Sequence, residues 1–598
     1  MKKIIALTLL SLSIIGSNNY SNNISVGEKL MNSTKEKMNI VFIAGQSNAQ
    51  GTSPVNEIEL PSYDDVLIYQ DGGMDASTAK TWMSVKPGLG LNKNCFGPEI
   101  GISEILSTKF KNRGEKVAII RYSWGGTSLY SKWNSPTSVA TNLGGMTYVK
   151  DEYTFNGRKS AELYYKMMVT YTNAINSIKD QYDLNYLGLC WMQGEGDAYN
   201  LSVASSYTTL LTNFINDVRT DLNIPNLPFI IGEIATTCGG RDDVIRNHEA
   251  VVAENVNNTT LIHNRDLPVG YFDAWHFRAT SMVELGRRFG ARMIESTSDE
   301  LAVIPEVNIN IGKGNKFSGP VYAEVTTSSN VTMPLEVLYD GKETFDTIGI
   351  SQITGYIKYK GLKQDVTINV NVVDGATLDG KEDSFYQDIE EKYVSLYSDV
   401  NNLTEPKYGT ASATFKAKLG DEGLYVYARL NDSQINNKLF VSNAFDLNMS
   451  NNNGIELYID NSSRNVNALT KNSLIVRLTS GGNMRVYEGS SDGFIKDYDL
   501  NMNAYKMQKE GIKDIKYFVS VNGAANQLSD GDDICSYFEI LIPYSALHNI
   551  KDVNAYRLAV RFTARHENGT LSDNPTGVYC EGEMKDFSFI DISTWPKL

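Results

Sequence analysis

A serine stands in a turn bounded by glycines, directly after the first strand-like segment of the chain. The apolar run Met38–Ala44 is followed by the segment GQSNAQG at residues 45–51. A serine that begins a helix at the end of a strand offers its hydroxyl as a nucleophile and its backbone N–H to a developing oxyanion. The flanking glycines permit a sharp turn and the close approach of a substrate. Ser47 is therefore the candidate nucleophile, although this turn by itself is more typical of a polar loop with a helix cap.

An aspartate and a histidine three residues apart supply the groups that such a nucleophile needs. They are Asp273 and His276, in the segment DAWHF at 273–277. A carboxylate on the same local turn can orient an imidazole and stabilise its cation, while the other ring nitrogen takes the serine proton. His263 and Asp266 repeat this spacing in the reverse order and are the alternative pair. The pattern predicts a triad of Ser47, His276 and Asp273.

Two further segments follow strand-like runs and contain hydrogen-bond donors. Residues 121–129 read RYSWGGTSL, and residues 191–197 read WMQGEGD. An N–H of Gly125 or Gly126 and the side-chain amide of Gln193 are candidate donors to an oxyanion, in addition to the N–H of the nucleophile. Donors at the ends of three strands, directed at one nucleophile, match the geometry of acyl transfer. Gly-Gly and Gln-Gly are also common turn residues, so each segment is weak evidence when taken alone.

The elements that must position these residues alternate between strand and helix from about residue 38 to 297. Continuous apolar strands separated by helices indicate a parallel sheet that is covered on both faces, with its ligands at the carboxyl ends of the strands. The predicted strands are Met38–Ala44, Lys116–Arg121, Asn185–Trp191 and Pro228–Ile234, and the predicted helices are Ser160–Ile178, Leu201–Val218 and Ser281–Ile294.

The pattern changes after residue 298 to a period of two, which is typical of β-strands. Residues 298–373 predict a small β-rich spacer domain in which no chemistry is evident. Residues 374–598 are again β-rich, with turns of Gly, Asn and Asp, and they predict a β-sandwich.

Five blocks occur in the order that is known from one enzyme family. GQSNAQG at 45–51, GPEIG at 97–101, SWGGTSL at 123–129, WMQGEGDA at 191–198 and DAWHF at 273–277 resemble the SGNH (GDSL-like) hydrolases, in the branch that contains sialate O-acetylesterases and acetylxylan esterases. The resemblance covers residues 38–297. It implies a three-layer α/β/α fold around a parallel sheet.

The resemblance also implies roles for single residues. Ser47 would be the nucleophile, His276 the general base and Asp273 its orienting partner. The oxyanion hole would consist of the Ser47 N–H, a glycine of the pair Gly125 and Gly126, and Gln193, although the wider family usually has Asn in this third block. Gln46, Glu99 and Glu195 are further residues near these blocks, and each either lines the site or has a structural role. The chemistry requires no metal.

The C-terminal region resembles a carbohydrate-binding module of the family-nine type. The resemblance lies in residues 413–417, 421–432, 454–460 and 537–543. It implies that this region binds sugar, although the tyrosines of its alternating strands are expected to pack in the core. Asp432 and Asp460 are candidate ligands of a structural calcium ion, and a turn-capping role is the alternative. No other cofactor is expected.

The N-terminus predicts export from the cell. Lys2 and Lys3 precede the apolar run Ile4–Ile15, which is too short to span a bilayer, so residues 1–23 are predicted to be a signal peptide. An uncleaved membrane anchor is the alternative. The protein is thus expected to be secreted, with no membrane association after the signal is removed. A net charge of -15 argues against a nucleic-acid partner. Whether Cys535 and Cys580 form a disulfide is left open by the sequence.

These features together predict a secreted carbohydrate O-acetylesterase that acts through an acetyl-enzyme. Its expected partner is an O-acetylated glycan, which is either sialic acid or a plant polysaccharide. The alternatives are a lipase or thioesterase on the same fold and a non-catalytic glycan-binding protein. A glycosidase that uses two carboxylates among Glu99, Glu195 and Asp197 is a further alternative, which the Ser–His–Asp set makes unnecessary.

Overall fold

The computed structural model describes most of the chain from residue 35 onward. The described residues are 35–73, 77–235, 242–267, 276–396, 411–432, 453–462, 470–480, 484–490, 493–494, 515–522, 535–566, 578–583 and 597–598. The predicted signal peptide at 1–23 and Asp273 lie outside these residues.

A seven-stranded sheet forms the centre of the first part of the chain. The strand order is β11-β10-β9-β1-β6-β3-β4, and all neighbouring strands are parallel except β3 and β4. The predicted parallel sheet is thus present, with an antiparallel strand at one edge. The elements in chain order are β1 (Glu36–Gly45), α1 (Ser47–Gln50), β2 (Ser53–Pro54), β3 (Tyr63–Gly72), β4 (Met83–Val85), β5 (Cys95–Phe96), α2 (Glu99–Phe110), β6 (Lys116–Ser123), α3 (Pro136–Ala140), β7 (Val149–Phe155), β8 (Arg158–Ala161), α4 (Glu162–Ile178), β9 (Tyr182–Met192), α5 (Leu201–Ala204), α6 (Tyr207–Asp221), β10 (Phe229–Gly232), α7 (Asp242–Asn255), β11 (Thr259–Ile262) and α8 (Ala279–Ile294).

The central strand β1 is buried along almost its whole length. Ile40, Val41, Phe42 and Ile43 are fully buried. Each such side chain contributes about 1.5–3 kcal/mol when it leaves water. Burial on this scale fixes the position of β1 and of the residues that follow it.

The four predicted strands correspond to β1, β6, β9 and β10, but one predicted helix is divided in two. Leu201–Val218 forms α5 and α6, which are separated at Ser205 and Ser206. The hydroxyls of both serines donate to backbone carbonyls four residues earlier. Such bonds compete with helix continuation. The sequence prediction also omitted β3, whose apolar run is only four residues long, Val66–Tyr69, and has aspartates on both sides.

A second sheet, formed by residues 301–373, continues the hydrophobic core of the first. Its strand order is β12-β14-β15-β16-β17-β13. Val325, Met333 and Leu335 belong to the same cluster of buried residues as the core of the first part, and α8 packs against β15. The small β domain therefore packs against the first part and shares its hydrophobic core. Its strands are β12 (Leu301–Val303), β13 (Val307–Gly312), β14 (Val321–Thr327), β15 (Thr332–Leu338), β16 (Gly349–Tyr359) and β17 (Leu362–Val373).

The small β domain holds the segment that leads toward His276. The Nδ1 atom of His263 lies 2.9 Å from a carboxylate oxygen of Glu336 on β15. The hydroxyl of Tyr322 on β14 donates to the carbonyl of His263 at 2.9 Å. Arg288 on α8 donates to the same carbonyl and forms an ion pair with Asp266. His263 and Asp266 thus have separate partners, and the alternative dyad predicted from their spacing is not formed.

Two antiparallel sheets that share one core make up the described C-terminal residues. The strand orders are β18-β19-β20-β26-β25 and β24-β23-β22-β21-β27-β28, and buried residues of both sheets form one cluster. The strands are β18 (Lys392–Ser395), β19 (Ala411–Leu419), β20 (Gly423–Asp432), β21 (Gly454–Asp460), β22 (Ser473–Thr479), β23 (Met484–Ser490), β24 (Gly493–Phe494), β25 (Lys516–Asn522), β26 (Cys535–Pro543), β27 (Arg557–His566) and β28 (Val578–Glu583).

The tyrosines of the C-terminal strands and the carboxylate of Asp460 have the surroundings of structural residues. Tyr425, Tyr427 and Tyr458 are buried, as expected for core residues. The carboxylate of Asp460 accepts bonds from the hydroxyls of Ser462, Thr470 and Ser473 and from one backbone N–H. Such donors are typical of a carboxylate that holds turns together.

Asp432 accepts a hydrogen bond from Asn453 at 2.7 Å, so this carboxylate too has a donor as its neighbour. Cys535 is a buried free thiol, so it is not paired with Cys580. Within the described ranges, no helix combines the length and the hydropathy that a membrane span requires.

The contact between His263 and Glu336 predicts a pH-dependent stability. The hydrogen bond to Glu336 is the largest cause that raises the pKa of His263 above 6.5. A raised pKa in the folded state stabilises the fold fully below the pKa of the unfolded chain and is lost as the pH rises through the folded value. Glu336→Gln should therefore lower the free energy of unfolding at pH 5.5 by up to about 1 kcal/mol, because the pair is partly exposed, and by less at pH 8.5.

Urea denaturation of both proteins across this pH range measures the effect. Glu324→Gln is the matched control, because Glu324 on β14 of the same sheet pairs with Arg287, which does not titrate in this range. Its difference from the wild type should be independent of pH. An equally constant difference for Glu336→Gln would contradict the prediction.

Candidate active site

The nucleophile lies where β1 passes into the short helix α1. Ser47 is the first residue of α1, and it is 8% exposed. Its N–H precedes the first intrahelical hydrogen bond and has no acceptor within the helix. Gly45 has a φ of +137°, and a Cβ at this position would collide with the carbonyl of Met192 on β9. The turn therefore requires glycine at the position where the sequence has it.

The structure brings Ser47 and His276 together. The Nε2 atom of His276 lies 2.7 Å from the hydroxyl oxygen of Ser47. The next residue, Phe277, donates its N–H to Asn48 at 3.3 Å and accepts a bond from the hydroxyl of Ser53 at 2.6 Å. The histidine is thus attached on its C-terminal side to the segment that carries the nucleophile. Asp273, the predicted third member, lies outside the described residues.

The two candidate oxyanion glycines lie beside the nucleophile, but their surroundings differ. The N–H of Gly125 donates to the side-chain oxygen of Gln50 at 3.0 Å. A Cβ at Gly125 would lie 3.4 Å from the Cβ of Ser47, which shows how close the two segments are. Gly126 is exposed and has a φ of +66°, and a Cβ at this position would meet nothing within 4 Å. Gly126 therefore faces open space next to the site.

The amide of Gln193 already has acceptors within the protein. Its Nε2 atom donates to Asp197 at 2.6 Å and to the carbonyl of Thr127 at 3.0 Å. Its oxygen accepts a bond from the Tyr207 hydroxyl at 3.1 Å. Gln46, predicted to be near the site, accepts a bond from the N–H of Gly196 at 3.0 Å. These bonds connect the segment after β9 to the segments after β1 and β6.

Asp197 has a role that the sequence reasoning missed. This buried carboxylate accepts bonds from the N–H groups of Leu129 and Tyr130, the hydroxyl of Ser128 and the amide of Gln193, at 2.6–2.9 Å. Burial raises the pKa of Asp197, and the donors act in the opposite direction. Its position four residues after Gln193 in one turn was the available signal. The carboxylate fixes the loop after β6 relative to the loop after β9.

Glu99 and Arg121 form a buried ion pair. Neither side chain is exposed, and the two charged groups are 2.5 Å apart. Glu99 also accepts a bond from the N–H of Gly97 at 3.0 Å. Arg121 makes further bonds to Gln70 and to the carbonyl of Leu89. A guanidinium with this set of partners is not available to a substrate carboxylate.

Glu195 contacts the residue that follows Ser47, the predicted nucleophile. It is buried, and it accepts a bond from the side chain of Asn48 at 2.8 Å. Burial is the largest influence and raises the pKa of Glu195, while Asn48 and the charge of His276 act in the opposite direction. Glu195 and Asp197 thus contact different segments, and each is buried against hydrogen-bond donors of the protein.

A serine hydroxyl that is hydrogen-bonded to an imidazole at the carboxyl edge of a parallel sheet is the arrangement of a serine hydrolase. Residues 37–295 match the model of a family described as carbohydrate esterase, sialic acid-specific acetylesterase. This match covers all five blocks and confirms the resemblance that they indicated.

Individual proteins are also similar to parts of the chain. A protein of Arabidopsis thaliana described as a probable carbohydrate esterase is 34% identical over 96 residues, which are 16% of this chain and 35% of that protein. The match therefore spans about a third of the relative's length. The crystal structure of NanS covers 44% of this chain and 98% of its own, with 14% identity and a TM-score of 0.33.

A family 9 carbohydrate-binding module is also among the similar structures. This module, from Caldicellulosiruptor kristjanssonii in complex with cellotriose, covers 37% of this chain and 87% of its own, with 12% identity and a TM-score of 0.23.

The contacts of Asp197 predict the effect of removing its charge. Asp197→Asn keeps the shape but directs an NH2 group at donors, and each donor that loses its acceptor costs about 1–3 kcal/mol. We expect a lower free energy of unfolding in urea and a loss of p-nitrophenyl acetate hydrolysis, because the loop after β6 is no longer fixed. Asp183→Asn, which changes an exposed residue on β9, the strand that precedes Asp197, should match the wild type. Wild-type values for Asp197→Asn in both assays would disprove this role.

Proposed function

We propose that the protein is an exported carbohydrate O-acetylesterase that uses Ser47 as its nucleophile. The contact of 2.7 Å between the Ser47 hydroxyl and His276 Nε2 carries this proposal. The family match over residues 37–295 supports the carbohydrate ester as the substrate class.

The proposed reaction is a two-step acyl transfer. The Ser47 oxygen attacks the carbonyl carbon of an acetyl ester while His276 takes the hydroxyl proton. The tetrahedral intermediate collapses, the sugar alcohol leaves with that proton, and an acetyl-enzyme remains. Water, deprotonated by His276, then attacks the acetyl-enzyme and releases acetate. We assign to Asp273 the task of orienting the imidazole and stabilising its cation.

The oxyanion of the intermediate requires donors that are already in place. The N–H of Ser47 is the first, and an N–H of Gly125 or Gly126 is the second. Gly126 faces open space, whereas the N–H of Gly125 must first be released by Gln50. Gln193 completes the oxyanion hole if the substrate oxygen displaces the carbonyl of Thr127 from its amide.

The remaining parts of the chain are proposed to bring the enzyme to its substrate. We propose that residues 1–23 direct export and that the esterase domain has the three-layer α/β/α arrangement. The C-terminal sheets are proposed to form a β-sandwich that binds glycan and raises the local concentration of acetyl esters. No cofactor takes part in the proposed reaction.

Two types of acetylated sugar are compatible with this site. Recognition of sialic acid calls for a cation that meets its carboxylate. Arg121 is paired with Glu99, and Arg246 donates to the carbonyl of Ala235 at 3.0 Å. Arg241 is a further arginine of this part of the chain, and it lies outside the described residues. A neutral acetylated polysaccharide needs no such cation, so both types belong in the test.

Acetate release from O-acetylated sialic acid, acetylated xylan and p-nitrophenyl acetate tests the proposal. Ser47→Ala should lower kcat/KM on every substrate that the wild type hydrolyses, by at least about a thousandfold, because the nucleophile is lost. Ser205→Ala, which removes an exposed serine that bonds only within its own helix turn, should retain activity. A wild-type protein that releases acetate from none of the three would leave a non-catalytic glycan-binding protein as the function.

A further inference from the structure

A tryptophan is exposed at the rim of the active site. Trp124 is 40% exposed, whereas Trp133 and Trp191 in the same part of the chain are fully buried. Single exposed apolar residues are common on protein surfaces, so exposure alone indicates little. The position of Trp124 relative to the nucleophile is what distinguishes it.

Contacts on both sides place Trp124 next to Ser47. The backbone N–H of Trp124 donates to the carbonyl of Gly45 at 3.0 Å, two residues before Ser47. A Cβ at Gly73 would lie 3.7 Å from the indole atom Cδ2 and would also press on the amide of Gln50. The same Gln50 side chain bonds to Gly125. The indole therefore lies beside Gly73. The side chain of Gln50 lies between Gly73 and the Gly125 loop, which is next to Ser47.

The rim around Trp124 is open and partly apolar. Gly126 is exposed, with free space where a side chain would project. Leu91 is 41% exposed, and its N–H donates to the carbonyl of Gly51 at the end of α1 at 2.8 Å. Trp124 and Leu91, which both have exposed apolar side chains, thus bond through their backbone N–H groups to carbonyls on the two sides of the helix that carries Ser47, those of Gly45 and Gly51. Such a surface beside a reactive group is typical of a ligand-binding site.

We propose that Trp124 forms a sugar-binding subsite, on which the pyranose ring that carries the acetyl ester stacks. The C–H groups on one face of a pyranose are apolar, and they gain by leaving water against the negative face of an indole. The sugar hydroxyls at the ring edge remain hydrated, and the ester projects toward Ser47. Sialic acid and xylose both present such a face. The inference rests on the proposed esterase function and assigns the residue that recognises the sugar.

The subsite separates substrates that contain a sugar from those that do not. Binding energy from the sugar, which does not react, is used to position the ester in the transition state. Trp124→Ala should therefore lower kcat/KM on the sugar ester that the wild type hydrolyses by at least about tenfold, as for a central aromatic contact. Hydrolysis of ethyl acetate, which has neither a sugar nor an aromatic ring to stack on the indole, should stay within about twofold, since no such contact is lost. Trp124→Phe, which keeps an aromatic face, should recover part of the loss.

Ile350→Ala is the matched control, since this residue is 79% exposed and lies on β16 of the small β domain. It should resemble the wild type on all substrates. An equal loss on both kinds of substrate for Trp124→Ala would overturn the proposal and show that the tryptophan holds the Gly125 loop. An unchanged rate on the sugar ester would overturn it as well.

Binding without turnover gives a second measurement. In the Ser47→Ala background, calorimetric titration with free sialic acid and with xylotriose should show, besides any binding by the C-terminal region, a binding component that adding Trp124→Ala weakens at least about tenfold. Unweakened binding overturns the subsite. The sugar that loses affinity identifies which ring the subsite accepts. A wild-type protein that is inactive even on p-nitrophenyl acetate contradicts the esterase function instead, and this result is distinct from any change at Trp124.

Discussion

The active site depends on the register of three parallel strands. Gly45 at the end of β1 pairs with Ser123 of β6 on one side and with Met192 of β9 on the other. Because all three strands end in this row, the residues that follow them converge on one point. Ser47, the Trp124–Gly126 segment and Gln193 are adjacent for this reason, although they are far apart in the sequence. A one-residue slip of β1 would separate the serine from its neighbours.

Buried polar groups fix the loops that follow these three strands relative to one another. Asp197 connects the loops after β6 and β9, Glu195 holds Asn48 beside the nucleophile, and Glu99 neutralises Arg121. A buried carboxylate is costly unless it is paired or hydrogen-bonded; Glu99 has a guanidinium as its partner, and Glu195 and Asp197 have hydrogen-bond donors. These partners offset the cost of burying the three groups.

The candidate catalytic residues and the central strands could be predicted from the sequence, but few of the contacts that support them could be. The apolar runs of β1, β6 and β9 could be recognised, and the spacing of residue types was enough to associate Ser47 with His276. The spacing of Asp197 from Gln193 gave a signal for one of its contacts, but its three donors in the loop after β6 could not be derived, because they come from a distant part of the sequence. The bond between His263 and Glu336 was also missed, since Glu336 lies 73 residues away in a region with no evident chemistry. Local patterns carry no information about such pairs.

The shared core of the first two sheets sets a limit on how this chain can recombine. The change in pattern near residue 297 separates an α/β segment from a β segment, but the buried cluster continues across it. A gene rearrangement that cuts the chain there would divide one hydrophobic core between two separate proteins. The C-terminal sheets have clusters of their own, so the boundary near residue 374 is where evolution can exchange one module for another. The α/β segment and the small β domain are therefore expected to be kept together as one unit.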